Sequence, residues 1–245
     1  MMVVTPELLS SFAILKALPE AVLTELAQQS SLLKFARRGI VLNAGKKEEQ
    51  LCFLFEGRLQ GVDFTIDGRE VGLYFVEPGE FCGELGLFDH GPQPEYVIAL
   101  TPAVVVSVPM SRLREIMLKS PGVASALGLK LAARVRQMTF QRSLLGLPNI
   151  AQRVCCQLWV LVPDKDKAIS DKAHEQKGSS QSVTSISNPP THMEIAIMLN
   201  VSRETVTRVF QTLQNRQIVK RDGSASLLVI DLRSLKDFAE GNKEL

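Results

Sequence analysis

One short run of this chain carries polar side chains at a spacing suited to reading base pairs: Ser202-Arg203-Glu204-Thr205-Val206-Thr207-Arg208. Ser202 is a good N-cap, because its hydroxyl can accept from backbone amides of the first helical turn. Arg203, Glu204 and Arg208 then fall near one polar face of a helix. Val206, Val209, Phe210 and Leu213 form the opposite, apolar face. Arginine bridges the two major-groove acceptors of guanine, and glutamate accepts from the cytosine amino group. Three such side chains on the first turns of one helix are expected to read base edges from a groove.

A reading helix needs a second element to seat it. Thr191 caps the run His192-Met193-Glu194-Ile195-Ala196-Ile197-Met198-Leu199, with Glu194 at capping-box spacing. Asn200 suits the tight turn after that run, so the order is helix, short turn, helix. The expected DNA-contacting set is Arg203, Glu204 and Arg208, with Ser202, Thr191 and His192 at the helix starts. Residues 217–220 read as a strand, Asp222-Gly223 as a turn and residues 227–230 as a returning strand, which points to a winged helix-turn-helix. Arg203, Arg208, Arg216, Lys220 and Arg221 against Glu194 and Glu204 make a local basic patch, suited to positioning phosphates. The whole chain carries a net charge of only +2, so this patch is not a general property of the molecule.

With 245 residues and 45% apolar content, the chain has room for two domains with real cores. Residues 7–30 read as amphipathic helices, with Pro19 starting a new turn. From Leu32 to Val108 the pattern changes to short apolar strands punctuated by glycines, at 40–42, 51–55, 58–64, 71–76, 96–100 and 104–108. Strands at that spacing suggest a jelly roll or antiparallel barrel. Ser111 is expected to cap a short helix. Beyond Pro121-Gly122 runs the longest periodic stretch. Ala124, Gly128, Leu131, Val135, Met138, Arg142 and Leu145 alternate steps of four and three, a heptad seam best buried against a second copy of itself. Leu131, Val135, Met138 and Leu145 are the expected dimer contacts. Pro148-Asn149 ends this helix and caps the next, which carries Trp159. Residues 164–181 read as a polar flexible loop, and 183–186 as a short strand. The expected class is α+β: an N-terminal jelly-roll sensor domain at 1–120, a dimerisation helix at 121–147 and a C-terminal winged helix-turn-helix at 148–245.

The four cysteines, Cys52, Cys82, Cys155 and Cys156, lack paired metal-ligand spacing and read as free thiols of a reducing cytoplasm. No apolar run approaches the ~18 residues of a membrane span. A cupin-type metalloenzyme would share the barrel, but His90, His174 and His192 sit on separate elements and are not expected to converge on a metal. A cyclic-nucleotide-binding regulatory subunit of a larger assembly would also share the barrel. It would have no use for the Arg-Glu-Arg helix or the wing.

Barrel, seam helix and winged helix-turn-helix, in that order, resemble the cyclic AMP receptor protein and fumarate-nitrate regulator (Crp/Fnr) family of bacterial transcription factors. Phe81-Cys82-Gly83-Glu84-Leu85-Gly86-Leu87-Phe88 is similar to the family's phosphate-binding cassette, and residues 202–208 are close to the recognition helix of the cyclic AMP receptor branch. The resemblance implies a homodimer on double-stranded DNA, base contacts by Arg203, Glu204 and Arg208, TGTGA-like half-sites and, for an activator, contact with RNA polymerase. It also implies an effector pocket at Gly83, Glu84, Leu85, Glu95, Arg134, Met138 and Thr139. Here the chain departs from the pattern. The Arg-Ser pair that grips the cyclic phosphate falls on Pro94 and Glu95, and Met138 replaces an adenine-contacting threonine. Arg134 is either a ligand contact or a salt-bridge partner of Glu84. Cyclic AMP bound in the family mode is therefore not expected. Cyclic di-GMP is an alternative, because relatives that answer to it carry a glutamate near the position of Glu95. Neither an iron–sulfur nor a haem cofactor is expected, for want of an N-terminal cysteine cluster and of a histidine close after Cys82.

Overall fold

The computed structural model describes residues 3–163, 183–223 and 225–245. The loop expected at 164–181 lies outside the described residues. The chain forms two compact units, Met1–Thr139 and Phe140–Leu245.

In the first unit, helices α1 (Pro6–Ser10) and α2 (Glu20–Gln29) precede eight strands. These are β1 (Ser31–Phe35), β2 (Ile40–Leu42), β3 (Gln50–Glu56), β4 (Leu59–Phe64), β5 (Glu70–Val76), β6 (Phe81–Cys82), β7 (Tyr96–Ala99) and β8 (Ala103–Pro109). They pair antiparallel in two four-stranded sheets, ordered β1-β8-β3-β6 and β2-β7-β4-β5, the double-sheet form of a jelly roll. Alternate residues of β3 explain its unbroken apolar sequence. Cys52 and Leu54 join Leu59, Tyr74, Val76 and Val97 between the sheets. Leu51 and Phe53 face the other way, into a cluster with Phe12 of the N-terminal segment and Leu113 of helix α4 (Met110–Lys119). A strand buried on both faces loses the polar alternation of a half-buried one.

Ser111 does not cap α4. The N-cap is Pro109, without a side-chain bond, and Ser111 lies inside the first turn. Proline's fixed φ and missing amide suit a helix entrance, so the helix starts two residues earlier than its serine suggests. A five-residue helix within the cassette, α3 (Leu85–Asp89), has no periodic signal because it is too short to show one.

Helix α5 spans Pro121–Leu145. Its buried positions are Val123, Leu127, Arg134, Gln141 and Leu144. The heptad positions lie on another face: Gly128, Val135, Met138, Arg142 and Leu145 are exposed, and Ala124 and Leu131 are half-buried. Val135 at 63% and Met138 at 49% exposure leave an apolar stripe uncovered by the described residues. Two ion pairs one turn apart hold α5 to the sheets, Lys130 with Glu80 and Arg134 with Glu84.

Gly61 on β4 lies directly against the Tyr74 ring of β5. A Cβ at this position would stand 2.5 Å from that ring, so only hydrogen fits there.

The second unit holds α6 (Ile150–Leu161), β9 (Thr184–Ser187), α7 (His192–Leu199), α8 (Arg203–Asn215), β10 (Val219–Asp222), β11 (Ser226–Val229) and α9 (Leu232–Glu240). Asn149 caps α6, accepting from the Gln152 amide at 3.1 Å. The wing hairpin β10-β11 is extended by β9, giving the order β10-β11-β9. Asp231 caps α9, a helix that the sequence patterns above do not assign, and Gly241 ends it at φ 76°.

Candidate functional site

The helix-turn-helix is built by local hydrogen bonds. Both halves of the capping box form: the Glu194 amide donates to Thr191 Oγ1 at 3.3 Å, and the Thr191 amide donates to Glu194 Oε2 at 2.8 Å. Asn200 takes the left-handed conformation at φ 50°, ψ 50°, and ends α7. Ser202 Oγ accepts from the Thr205 amide at 3.2 Å and starts α8. Ile195, Ala196 and Leu199 of α7 pack with Val206, Phe210 and Leu213 of α8 in one core. Burying that face turns Arg203, Glu204 and Arg208 outward, and all three are exposed.

The electrostatics of the outward face suit base reading. The Glu204 carboxyl is held below its ordinary range, chiefly by a backbone amide, then by the Ser202 hydroxyl, with Arg203 and Arg208 adding to it. It therefore stays ionised and able only to accept, which a cytosine amino group requires. His192 is half-buried. Its Nδ1 lies 3.0 Å from Thr207 Oγ1, and its ring centroid lies 4.4 Å from that of Phe210. Burial, then Arg221 and Arg203, push its pKa down. Thr191 is held by its capping box.

In the first unit, Gly83, Glu84, Leu85, Glu95, Arg134 and Met138 line one cavity of about 120 Å³. Thr139 is not brought to it. Its side chain is exposed and its hydroxyl is engaged by the Val135 carbonyl at 2.9 Å, one helical turn back. Leu131 and Val135, expected only at a dimer seam, line the same cavity. Sequence reasoning missed Tyr74 and Gln93, which complete the polar part. Tyr74 Oη donates to Glu95 Oε1, and Gln93 Nε2 donates to the same oxygen at 3.0 Å. The Arg134 guanidinium lies 3.4 Å above the Tyr74 ring. Its Nη2 stands 3.2 Å from Glu84 Oε1, near enough for an ion pair but not aligned as a hydrogen bond. Arg134 is thus the salt-bridge partner of Glu84 in this structure. Burial raises the Glu95 carboxyl above its ordinary range, with the Tyr74 hydroxyl opposing. Two buried carboxylates facing one guanidinium repel a phosphate, and pockets that hold drug-sized ligands are larger, roughly 300–1,000 Å³.

Among the described residues, no three or more His, Cys, Asp or Glu side chains are grouped to hold a metal ion. No described helix is long and apolar enough to cross a membrane. Cys52, Cys82, Cys155 and Cys156 are free thiols.

The cyclic nucleotide-binding domain family matches residues 32–120, and the Crp-like helix-turn-helix domain family matches residues 152–238. The chain belongs to the Crp/Fnr family. The cAMP-activated global transcriptional regulator CRP of Pasteurella multocida is 25% identical over 191 residues, 78% of this chain and 86% of that protein. In solved structures, FixK2 of Bradyrhizobium japonicum superimposes with a TM-score of 0.68 at 19% identity, over 85% of this chain and 96% of that one. The c-di-GMP responsive regulator CLP of Xanthomonas campestris gives 0.60 at 22% identity, over 82% and 95%. This Crp/Fnr protein is accordingly a DNA-binding transcription regulator and not an enzyme.

Proposed function

We propose that this regulator works as a cytoplasmic homodimer that reads an inverted repeat with TGTGA-like half-sites. Residues 1–120 form the sensor domain, 121–147 the dimerisation helix and 148–245 the DNA-binding domain. The observation that carries the reading is the exposed Arg203, Glu204 and Arg208 on a capped helix whose other face is buried. Ser202, Thr191 and His192 hold the helix starts against the phosphates. Protomers associate through Leu131, Val135, Met138 and Leu145, whose stripe the described residues leave uncovered or half-covered. The two-fold axis of the dimer then sets half-sites about one helical turn, roughly 34 Å, apart. An activator of this kind contacts RNA polymerase. Selection from random DNA is the test. Recovery of TGTGA-like inverted repeats is expected, and an unrelated half-site overturns the assignment.

The sensor pocket does not take cyclic AMP in the family's mode, because Pro94 and Glu95 occupy the positions of the Arg-Ser pair that would grip its phosphate. A second reading, cyclic di-GMP, rests on that same glutamate and on the fold likeness to a c-di-GMP responsive regulator. Calorimetry with cyclic di-GMP separates it from a regulator without a ligand.

A further inference from the structure

Cys52 and Cys82 face each other across two neighbouring strands. β6 pairs antiparallel with β3, and Cys52 stands directly opposite Cys82 in the register. Both side chains turn into the layer between the sheets, with Leu54, Tyr74 and Val97. Cys82 Sγ lies 3.8 Å from the Cys52 carbonyl oxygen, so it leans over its partner. Directly opposed residues of an antiparallel pair hold their Cα atoms about 4.5–5.5 Å apart, inside the window of about 4.4–6.8 Å that a disulfide spans. Their Cβ atoms stand about 4.5–5.5 Å apart, so a bond between the sulfurs draws the strands together by about an ångström.

The other two cysteines cannot close in this way. Cys155 and Cys156 are consecutive residues of α6, and consecutive side chains of a helix do not face each other. Cys156 Sγ donates to the Ala239 carbonyl oxygen at 3.0 Å. Cys52 and Cys82 are both buried. The Cys52 side chain beside it, then burial, push the Cys82 thiol's pKa up, so the reactive thiolate is scarce while the strand is closed. The strand itself is the way in. β6 is two residues long and lies at the edge of its sheet, beside β3 alone. So short an edge opens locally at low cost and admits a small reagent.

We propose that Cys52 and Cys82 form a reversible dithiol–disulfide couple, a modification site for small disulfide oxidants at the entrance of the sensor cassette. With β6 open, the Cys82 thiolate attacks one sulfur of the oxidant, forms a mixed disulfide and releases one thiol. The Cys52 thiolate then attacks the Cys82 sulfur, closes the Cys52–Cys82 bond and releases the second thiol. The two protein thiols are oxidised, and the two sulfurs of the oxidant are reduced and take up the two protons. Exchange runs both ways, so an excess of a small dithiol reopens the bond. The closed bond ties β6 to β3. Through Gly83 it also fixes the backbone that carries Glu84, the ion-pair partner of Arg134 on α5. The site stands on the sheet register and is independent of what the reading helix binds.

Peptide mapping of the folded, full-length protein tests this. Dilute protein is held with an excess of hydroxyethyl disulfide, its free thiols are blocked with N-ethylmaleimide in denaturant, and the unreduced chain is digested. A peptide joining residues 52 and 82, lighter by two hydrogens than its two separate thiols, is expected. Cys155 and Cys156 should not be joined to each other, and dithiothreitol should remove the link. Cys52→Ser, which lacks the second thiol, should leave Cys82 as a mixed disulfide with the reagent. Circular dichroism during the exposure shows that the chain stays folded. The wild-type map decides the question by itself, whether or not the variant folds. A folded wild type without the link, a link between other cysteines in its place, or a link that forms only in the unfolded chain overturns the couple. So does a bond that dithiothreitol leaves closed, or a folded Cys52→Ser variant whose Cys82 stays untouched.

Discussion

Arg208 and Glu204 owe their proposed roles to what holds them as much as to their chemistry. The Arg208 guanidinium stands 3.4 Å from Thr205 Oγ1, on the same exposed face, and the Glu204 carboxyl is held below its ordinary range at the helix start. A side chain steered as Arg208 is loses less freedom on meeting a base pair. Arg208→Ala should cost about 1–3 kcal/mol of DNA affinity and relax one G·C position, read by anisotropy over a panel of single-base changes. An affinity lost uniformly over the panel would assign Arg208 to the backbone instead.

At the scale of elements, α5 divides its surface in two. One face grips the sheets through Lys130, Arg134 and Leu127, and the other carries the stripe at Val135 and Met138. Leu131 sits where the faces meet, half-buried and lining the sensor cavity. Leu131→Asp puts an unpaired carboxylate into an apolar contact at a cost of several kcal/mol. Sedimentation should show monomers, and DNA affinity should collapse. A dimer that survives the change would place the interface elsewhere. How far such elements were legible depended on their length and neighbours. The capping box, Asn200 turn and Ser202 cap were readable because each is local, set within a few residues. The exposed apolar stripe of α5 was readable because its positions repeat. The entrance of α4 was not, since proline satisfied a position that Ser111 would otherwise claim. Tyr74 and Gln93 were missed for different reasons. Tyr74 reaches Glu95 from β5, and no spacing in the sequence records which strands lie side by side, whereas Gln93, two residues from Glu95, lies in an irregular loop where no period says which way a side chain turns. Thr139 was carried to the pocket by the family resemblance, whereas its hydroxyl is engaged by its own helix's backbone.

For the molecule as a whole, the question is whether the sensor commands the reader. In the pocket, Tyr74, Gln93, Glu95, Glu84 and Arg134 already engage one another. DNA binding should therefore not need cyclic AMP, and calorimetry of the wild type should show no cyclic AMP uptake at micromolar concentrations. The paired change Pro94→Arg and Glu95→Ser replaces a repelling carboxylate by a charge-assisted donor and should restore measurable binding. Tight uptake by the unchanged protein would mean that Arg134 leaves Glu84 to grip the phosphate.

The Tyr74 ring lies against the one residue of β4 that has nothing to push with. At Gly61 a single methyl group would meet the ring at 2.5 Å. The pocket can thus be uncorked from behind, by a change on a strand that never touches its contents. Gly61→Ala should evict Tyr74, strip Glu95 of its hydroxyl partner and lower stability by about 1–3 kcal/mol, the usual cost of overpacking. Thermal melts and the ring resonances of Tyr74 would register it, and adding Tyr74→Leu should return part of the loss. If Gly61→Ala melts like wild type with the tyrosine signals unmoved, the ring is not wedged, and the cork is held from the front alone.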